Sequence, residues 1–193
     1  MDTHPPRQPT PADPLPTTAA TRRRLAHVPW HFHQTPVHPL LHGCMVARAC
    51  QALAPHANSV GGWVSVGSPR VWVPSAQVDL TADLIAARGR PQIAADCADA
   101  VSNPALIVEV LSLSTALYDR GEKWQHYRQI PSLQEYVLIN TTQPLVEWYR
   151  RAPEGWLYLS ASANEQARLA SIEVVLDVDR LYDGVFELEP TDG

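Results

Sequence analysis

A carboxylate inside an otherwise apolar run is the feature of this sequence that most demands a chemical reason. Ala105-Leu-Ile-Val-Glu-Val-Leu111 carries Glu109 as its only polar side chain. An ionised carboxylate in such surroundings is unfavourable unless it is neutralised, paired or bound to a cation. Period-two alternation sets Ile107, Glu109 and Leu111 on one face. The plain alternative is a strand end open to solvent, or an arginine partner. A second carboxylate, Asp83, opens the preceding apolar segment Asp83-Leu-Ile-Ala-Ala87. Two acids converging from adjacent strands would suit a hard cation, because Mg²⁺ takes one or two carboxylates and keeps waters and phosphate oxygens in its remaining positions. Asp79, four residues earlier, is an alternative ligand or an ordinary loop aspartate.

Lys123 is the only lysine among 15 basic residues, all the others being arginine. Where arginine serves every generic need, a lone lysine suggests a position that requires a compact ammonium. With Asp119 and Tyr127 it forms an i, i+4, i+8 row on one helix face. If that face looks at the strand end, Lys123 can stabilise an attacking water or the charge developing on phosphorus. Otherwise it is an exposed first-turn lysine, mildly unfavourable at the helix's positive end. Asp119 itself reads as the N-cap. Arg88, Arg90, Arg120 and Arg128 are placed to flank the site and bind phosphate, unless they are ordinary surface arginines. Five histidines cluster early (His27, His31, His33, His38 and His42), and His38 and His42 have a zinc-compatible spacing. No acid or well-placed cysteine completes that set, so these histidines are expected in loops or on a helix surface.

The elements that must position these groups follow from periodicity. Residues 1–21 hold six prolines and few large apolar groups, which predicts a disordered tail ahead of one domain over 22–190. A helix is expected from Pro39 to about Leu53, with Leu41, Met45, Ala49 and Leu53 as its buried stripe. Trp63–Val66 and Arg70–Val73, broken by Gly67-Ser68-Pro69, read as a hairpin, and a further strand is expected over 83–87. The run 105–111 suits a central strand covered on both faces. A helix is then expected from Asp119, where Asp119-Arg-Gly-Glu122 resembles a capping box, to just before Pro131. Tyr136–Asn140 should return parallel to the central strand. A second hairpin, Leu145–Arg151 with Trp156–Ala161, turns across Pro153-Glu-Gly155, and the chain closes with a strand near 173–176 and a helical turn over 179–182. The class is mixed α/β, with helices flanking a mixed sheet.

Composition allows a chain able to bury a real core: 193 residues, 45% hydrophobic and 18% charged. No apolar run reaches the ~20 residues that would span a bilayer. The stretch after Arg22-Arg23-Arg24 is too polar for a signal peptide, and three cysteines without metal-type spacing read as reduced thiols of a cytoplasmic protein. The net charge of −5 does not advertise a nucleic-acid partner. Its distribution is uneven, however: no acid falls between Pro14 and Val78, against five arginines, so a phosphate backbone could be steered to one side.

Beyond these physical readings, the stretch Pro104-Ala-Leu-Ile-Val-Glu-Val-Leu-Ser112, with Ser114-Thr115, Tyr118-Asp-Arg-Gly-Glu-Lys123, Tyr127-Arg128 and Ile130-Pro-Ser-Leu-Gln-Glu-Tyr-Val-Leu-Ile139, is very similar to the Uma-two family. The likeness continues through Val146-Glu-Trp-Tyr-Arg-Arg151, Trp156 and Leu181-Tyr-Asp-Gly-Val185. That family belongs to the PD-(D/E)XK nuclease superfamily. The resemblance implies a restriction-endonuclease-like fold, with Asp83 at the family's Pro-Asp position and Glu109 at its central acid. Ala82 stands where proline is usual, and Leu111 holds the place of the superfamily's lysine, whose function the family is thought to move to the following helix, where Lys123 stands. The family's acidic residue ahead of the first helix has no counterpart here, because nothing acidic lies between Asp13 and Asp79. The expected function is metal-dependent hydrolysis of phosphodiesters, most naturally in DNA. Asp83, Glu109 and the Val110 carbonyl would hold Mg²⁺ (Mn²⁺ substituting), with Lys123 as the catalytic cation and Arg120, Tyr127 and Arg128 binding substrate. A homodimer would suit cutting of both strands. The rival expectation is a degenerate member that only binds nucleic acid or a protein partner.

Overall fold

The computed structural model describes residues 39–188. The tail expected over 1–21 and the histidines from His27 to His38 lie outside the described residues. Helix α1 (Pro39–Ser59) is longer than its pattern predicts. The row Leu41, Met45, Ala49, Leu53 is buried as expected and continues to Ala57, so burial of one more turn carries the helix past Pro55. Its end is a glycine C-cap: Gly61 sits at φ +70°, Gly61 N–H donates to Asn58 O, and Gly62 N–H donates to Ala57 O.

Strands β1 (Trp63–Val66), β2 (Arg70–Val73), β3 (Val78–Thr81), β4 (Leu84–Ala87), β5 (Ile93–Ala94) and β6 (Cys97–Val101) follow. β1 and β2 do not form the expected hairpin: β1 pairs antiparallel with β4, whereas β2 pairs with β3 and β6 in a second sheet ordered β3-β2-β6-β5. The Gly67-Ser68-Pro69 turn therefore hands the chain from one sheet to the other.

The main sheet has six strands in the order β1-β4-β7-β8-β9-β10. Its centre is β7 (Leu106–Leu111), all six of whose residues are buried, beside β8 (Glu135–Asn140), and this pair is parallel as the strand–helix–strand pattern predicts. β9 (Leu145–Ala152) and β10 (Gly155–Ser162) form the expected hairpin. A small pair follows, β11 (Gln166–Leu169) with β12 (Val174–Asp177), of which β11 has no counterpart in the sequence reading, and then α4 (Val178–Tyr182).

Two apolar layers sandwich the main sheet. α1, β11, β12 and α4 pack on the face carrying Leu84, Ala86, Leu106, Val108 and Val110. The other face, carrying Ile85, Ile107, Leu111, Tyr136 and Leu138, is covered by Trp124, Tyr127, Ile130 and the inward residues of β2 and β3. The architecture is a mixed α+β fold, as expected. Among the described residues no helix is long and apolar enough to cross a membrane, and Cys44, Cys50 and Cys97 are all free thiols.

Candidate active site at the end of the central strands

The helix over Glu109 begins earlier than its capping box suggested. It opens with α2 (Ala116–Tyr118), widens into one π-helical turn (Asp119–Lys123) and ends as α3 (Trp124–Tyr127). Ser112 starts it: its hydroxyl accepts from Thr115 N–H at 3.1 Å and its carbonyl from Ala116 N–H at 2.9 Å. Asp119 is therefore not the N-cap, because its own N–H already donates to Thr115 O within the helix. Its side chain is free to serve the row predicted for this face. Asp119, Lys123 and Tyr127 are all buried against the sheet. Isolated π turns recur at functional sites, since the wider turn re-aims side chains that a regular helix would stagger.

Glu109, 2% exposed, receives that row. Lys123 Nζ lies 2.8 Å from Glu109 Oε1 and 3.3 Å from Asp119 Oδ1. The buried Tyr127 hydroxyl lies against the same carboxylate. Burial pushes the Glu109 carboxyl up to about 8, even though Lys123 pulls it down. Burial alone would lower Lys123, but Glu109 and Asp119 outweigh it and hold the ammonium above its ordinary value.

Asp83 stands one residue before β4. Leu84 pairs with Val108, so the antiparallel register extended by one step sets Asp83 opposite Glu109. Asp83 Oδ2 accepts from Val110 N–H at 2.7 Å and faces His42 Nε2, on the first turns of α1, at 3.3 Å. Burial opposes ionisation of Asp83, but His42 and the Val110 N–H more than compensate and hold its carboxyl below the ordinary value. The hydrogen bond to Asp83 in turn raises the His42 imidazole above its ordinary value.

His42, expected in a loop or on a helix surface, is instead joined by an acid 41 residues away, just ahead of β4. Its only local signal was the spacing to His38. Asp79, the alternative ligand, is instead held by Arg70 Nε at 2.7 Å within the second sheet. Arg88 does not flank the site. It follows the far end of β4, about 17 Å along the strand from Asp83 at 3.3–3.4 Å per residue, and donates to Ser171 O at 2.6 Å. There it lines a cavity of about 540 Å³ with Glu135, Arg150 and Arg151. Arg150 is paired with Glu135 and Arg151 donates to the carbonyls of Leu133 and Ile130, so that cavity's wall is a structural hub. Arg120 is paired with Glu147, while Arg128 is exposed. Tyr127 is fully buried beneath Glu109.

As placed, no three carboxylate, imidazole or thiolate groups among the described residues cluster tightly enough to hold a metal. The chemistry of the donor set nevertheless fits a hard cation: two carboxylates set opposite each other on adjacent strands.

Comparison with known proteins bears on the fold and on the family. A crystal structure of a "putative nuclease belonging to DUF820" from Anabaena variabilis superposes with a TM-score of 0.60 over 75% of this chain and 82% of that one; at 12% identity it shows the fold alone. Two uncharacterized proteins of Synechocystis sp., slr1290 and sll1609, are 40% identical over 86 residues and 33% identical over 106. These matches take in 44% and 55% of this chain and span only 45% and 60% of the relatives' own lengths. The Uma2 family model, described as "Putative restriction endonuclease", matches residues 24–180. The chain belongs to the Uma2 family.

Proposed function

We propose that this chain is a metal-dependent endonuclease that hydrolyses phosphodiester bonds in DNA. The observation that carries the reading is the meeting of Asp83, Glu109 and the chain's only lysine at one end of the central strands. Asp83, Glu109 and the Val110 carbonyl would hold Mg²⁺, with Mn²⁺ able to replace it. When bound, the cation neutralises phosphate charge and lowers the pKa of a bound water.

The protein's own groups have separable tasks. Lys123 is held protonated by Glu109 and Asp119, so it acts as a fixed positive charge and not as a base. From there it can orient the attacking water and stabilise the charge growing on the phosphoryl oxygens. Asp119, one turn before Lys123 on the same helix, also pairs with the ammonium and would keep it aimed when Glu109 turns to a cation. The Val110 N–H fixes the Asp83 carboxylate in place before any ligand arrives. Arg120, held by Glu147 at the level of Glu109, would bear on the DNA backbone, whereas Arg128 lies beside Arg151 at the opposite strand ends. Tyr127, fully buried, would bear on substrate only through Glu109.

Incubation of the purified chain with supercoiled plasmid and Mg²⁺ tests this reading. Conversion to nicked circles, stopped by chelation, is the expected result. Intact plasmid with folded protein, across supercoiled, linear and single-stranded DNA, would favour a binding protein that has lost the chemistry.

A further inference from the structure

We propose that His42 is itself a metal ligand of this site, and that its nitrogen makes the site prefer Mn²⁺ to Mg²⁺. The inference rests on reading Asp83 and Glu109 as a cation site and specifies the donor set of that site.

No acidic residue lies between Asp13 and Asp79, so α1 brings no carboxylate to the strand ends. The α1 side chain that reaches Asp83 is His42. Its Nε2 stands 3.3 Å from Asp83 Oδ2. The hydrogen bond is a loose one, longer than the about 2.7–2.9 Å at which a charge-assisted pair settles. The distance is close to the ~3 Å that separates neighbouring ligands around a metal with bonds of about 2.0–2.2 Å. The Val110 backbone also acts on the imidazole, in the raising direction expected of a carbonyl acceptor. His42 thus already faces Asp83 and Val110, two of the groups assigned to the cation. The third, Glu109, is drawn to Lys123, which accounts for the absence of a ready three-ligand cluster. Exchange of that ion pair for a cation completes the set.

The half-exposed edge of His42 matters too, because a ligand at the mouth must be reachable by a hydrated ion; its side chain is 30% exposed and that of Asp83 23%. An imidazole beside two carboxylates is a poor match for Mg²⁺, which favours oxygen donors, and a better one for a first-row transition ion. Mn²⁺ accepts both donor types.

The test is Mn²⁺ binding to the full purified chain, read by calorimetry and by electron spin-echo spectroscopy, with Mg²⁺ titrated separately. The wild type should bind Mn²⁺ at least about tenfold more tightly than Mg²⁺. Bound Mn²⁺ should show nitrogen-14 coupling from a directly coordinated imidazole. In His42→Ala and His42→Gln, that coupling should vanish and Mn²⁺ affinity should fall about tenfold or more, with Mg²⁺ affinity within about threefold. Mn²⁺ bound to wild type without nitrogen coupling, or coupling that survives in His42→Gln, overturns the His42 assignment and leaves the carboxylate site standing. Failure of the wild type to bind either ion removes both. The spectroscopic result needs only the wild type, so a variant that fails to fold does not shield the proposal.

Discussion

At the scale of single residues, the site is a balance of charges that a cation would tip. Glu109 is buried deeply enough that its carboxyl rises to about 8 despite a neighbouring ammonium. A metal at the proposed site would therefore compete with a proton for this group. The carboxyl's folded value is raised, so the binding-competent carboxylate predominates only above about 8. Below that value, each unit of pH should weaken apparent metal affinity by at least about tenfold, more where His42 must also lose its proton. Calorimetric titrations between pH 6 and pH 9 check this, and an affinity constant across that window would show that Glu109 is not the ligand. Glu109, Asp83 and Lys123 were legible in the sequence because each is anomalous where it stands: an acid in an apolar run, an acid opening the preceding run, a lone lysine. His42 was not legible. Its partner is 41 residues away, and nothing local distinguishes an imidazole facing a carboxylate from one facing water.

The elements that carry these residues are held by devices of differing visibility. The α1 stripe, the buried β7 and the β9–β10 hairpin follow from periodicity and turn residues, and the structure has them where the pattern puts them. The start of the helix over Glu109 did not follow, because two sequences compete for it. Asp119-Arg-Gly-Glu122 imitates a capping box, but Ser112 captures the first free N–H groups one turn earlier. The β1–β2 turn misleads for another reason: a Gly-Ser-Pro break is equally compatible with a hairpin and with a change of sheet, and only long-range pairing decides. One close approach sets the seat of α1 on the sheet. A Cβ at Gly62 would lie 2.2 Å from the Ala87 carbonyl oxygen, which belongs to β4 backbone. Gly62→Ala should therefore destabilise the chain by about 1–3 kcal/mol, lowering the melting temperature by about 2–10 °C. Thermal denaturation followed by circular dichroism measures it; an unchanged melting temperature would mean that α1 and β4 separate freely there.

For the whole molecule, the fold's task is to bring three distant stretches to one end of the central strands. α1 supplies His42, the β4–β7 pair supplies Asp83 and Glu109, and the crossover helix supplies Lys123. The crossover was readable, since strand–helix–strand with a parallel return has few alternatives. The second sheet was less so: β5 and β6 have no clean alternation, and β3, whose Val78-Asp79-Leu80-Thr81 does alternate, is only four residues long. The opposite strand ends, where Arg88, Arg150 and Arg151 tie loops to the sheet, are devoted to stability. The proposed function places the chemistry at the end bearing Glu109, and plasmid cleavage by wild type, Glu109→Gln and Lys123→Ala tests that claim most directly. Glu109→Gln keeps the shape and removes the charge, so with Mg²⁺ or Mn²⁺ supplied both variants should lose at least about a hundredfold in rate, on the order of 3 kcal/mol of transition-state stabilisation. Cleavage by Glu109→Gln at the wild-type rate would contradict the assignment of the active site to the strand ends.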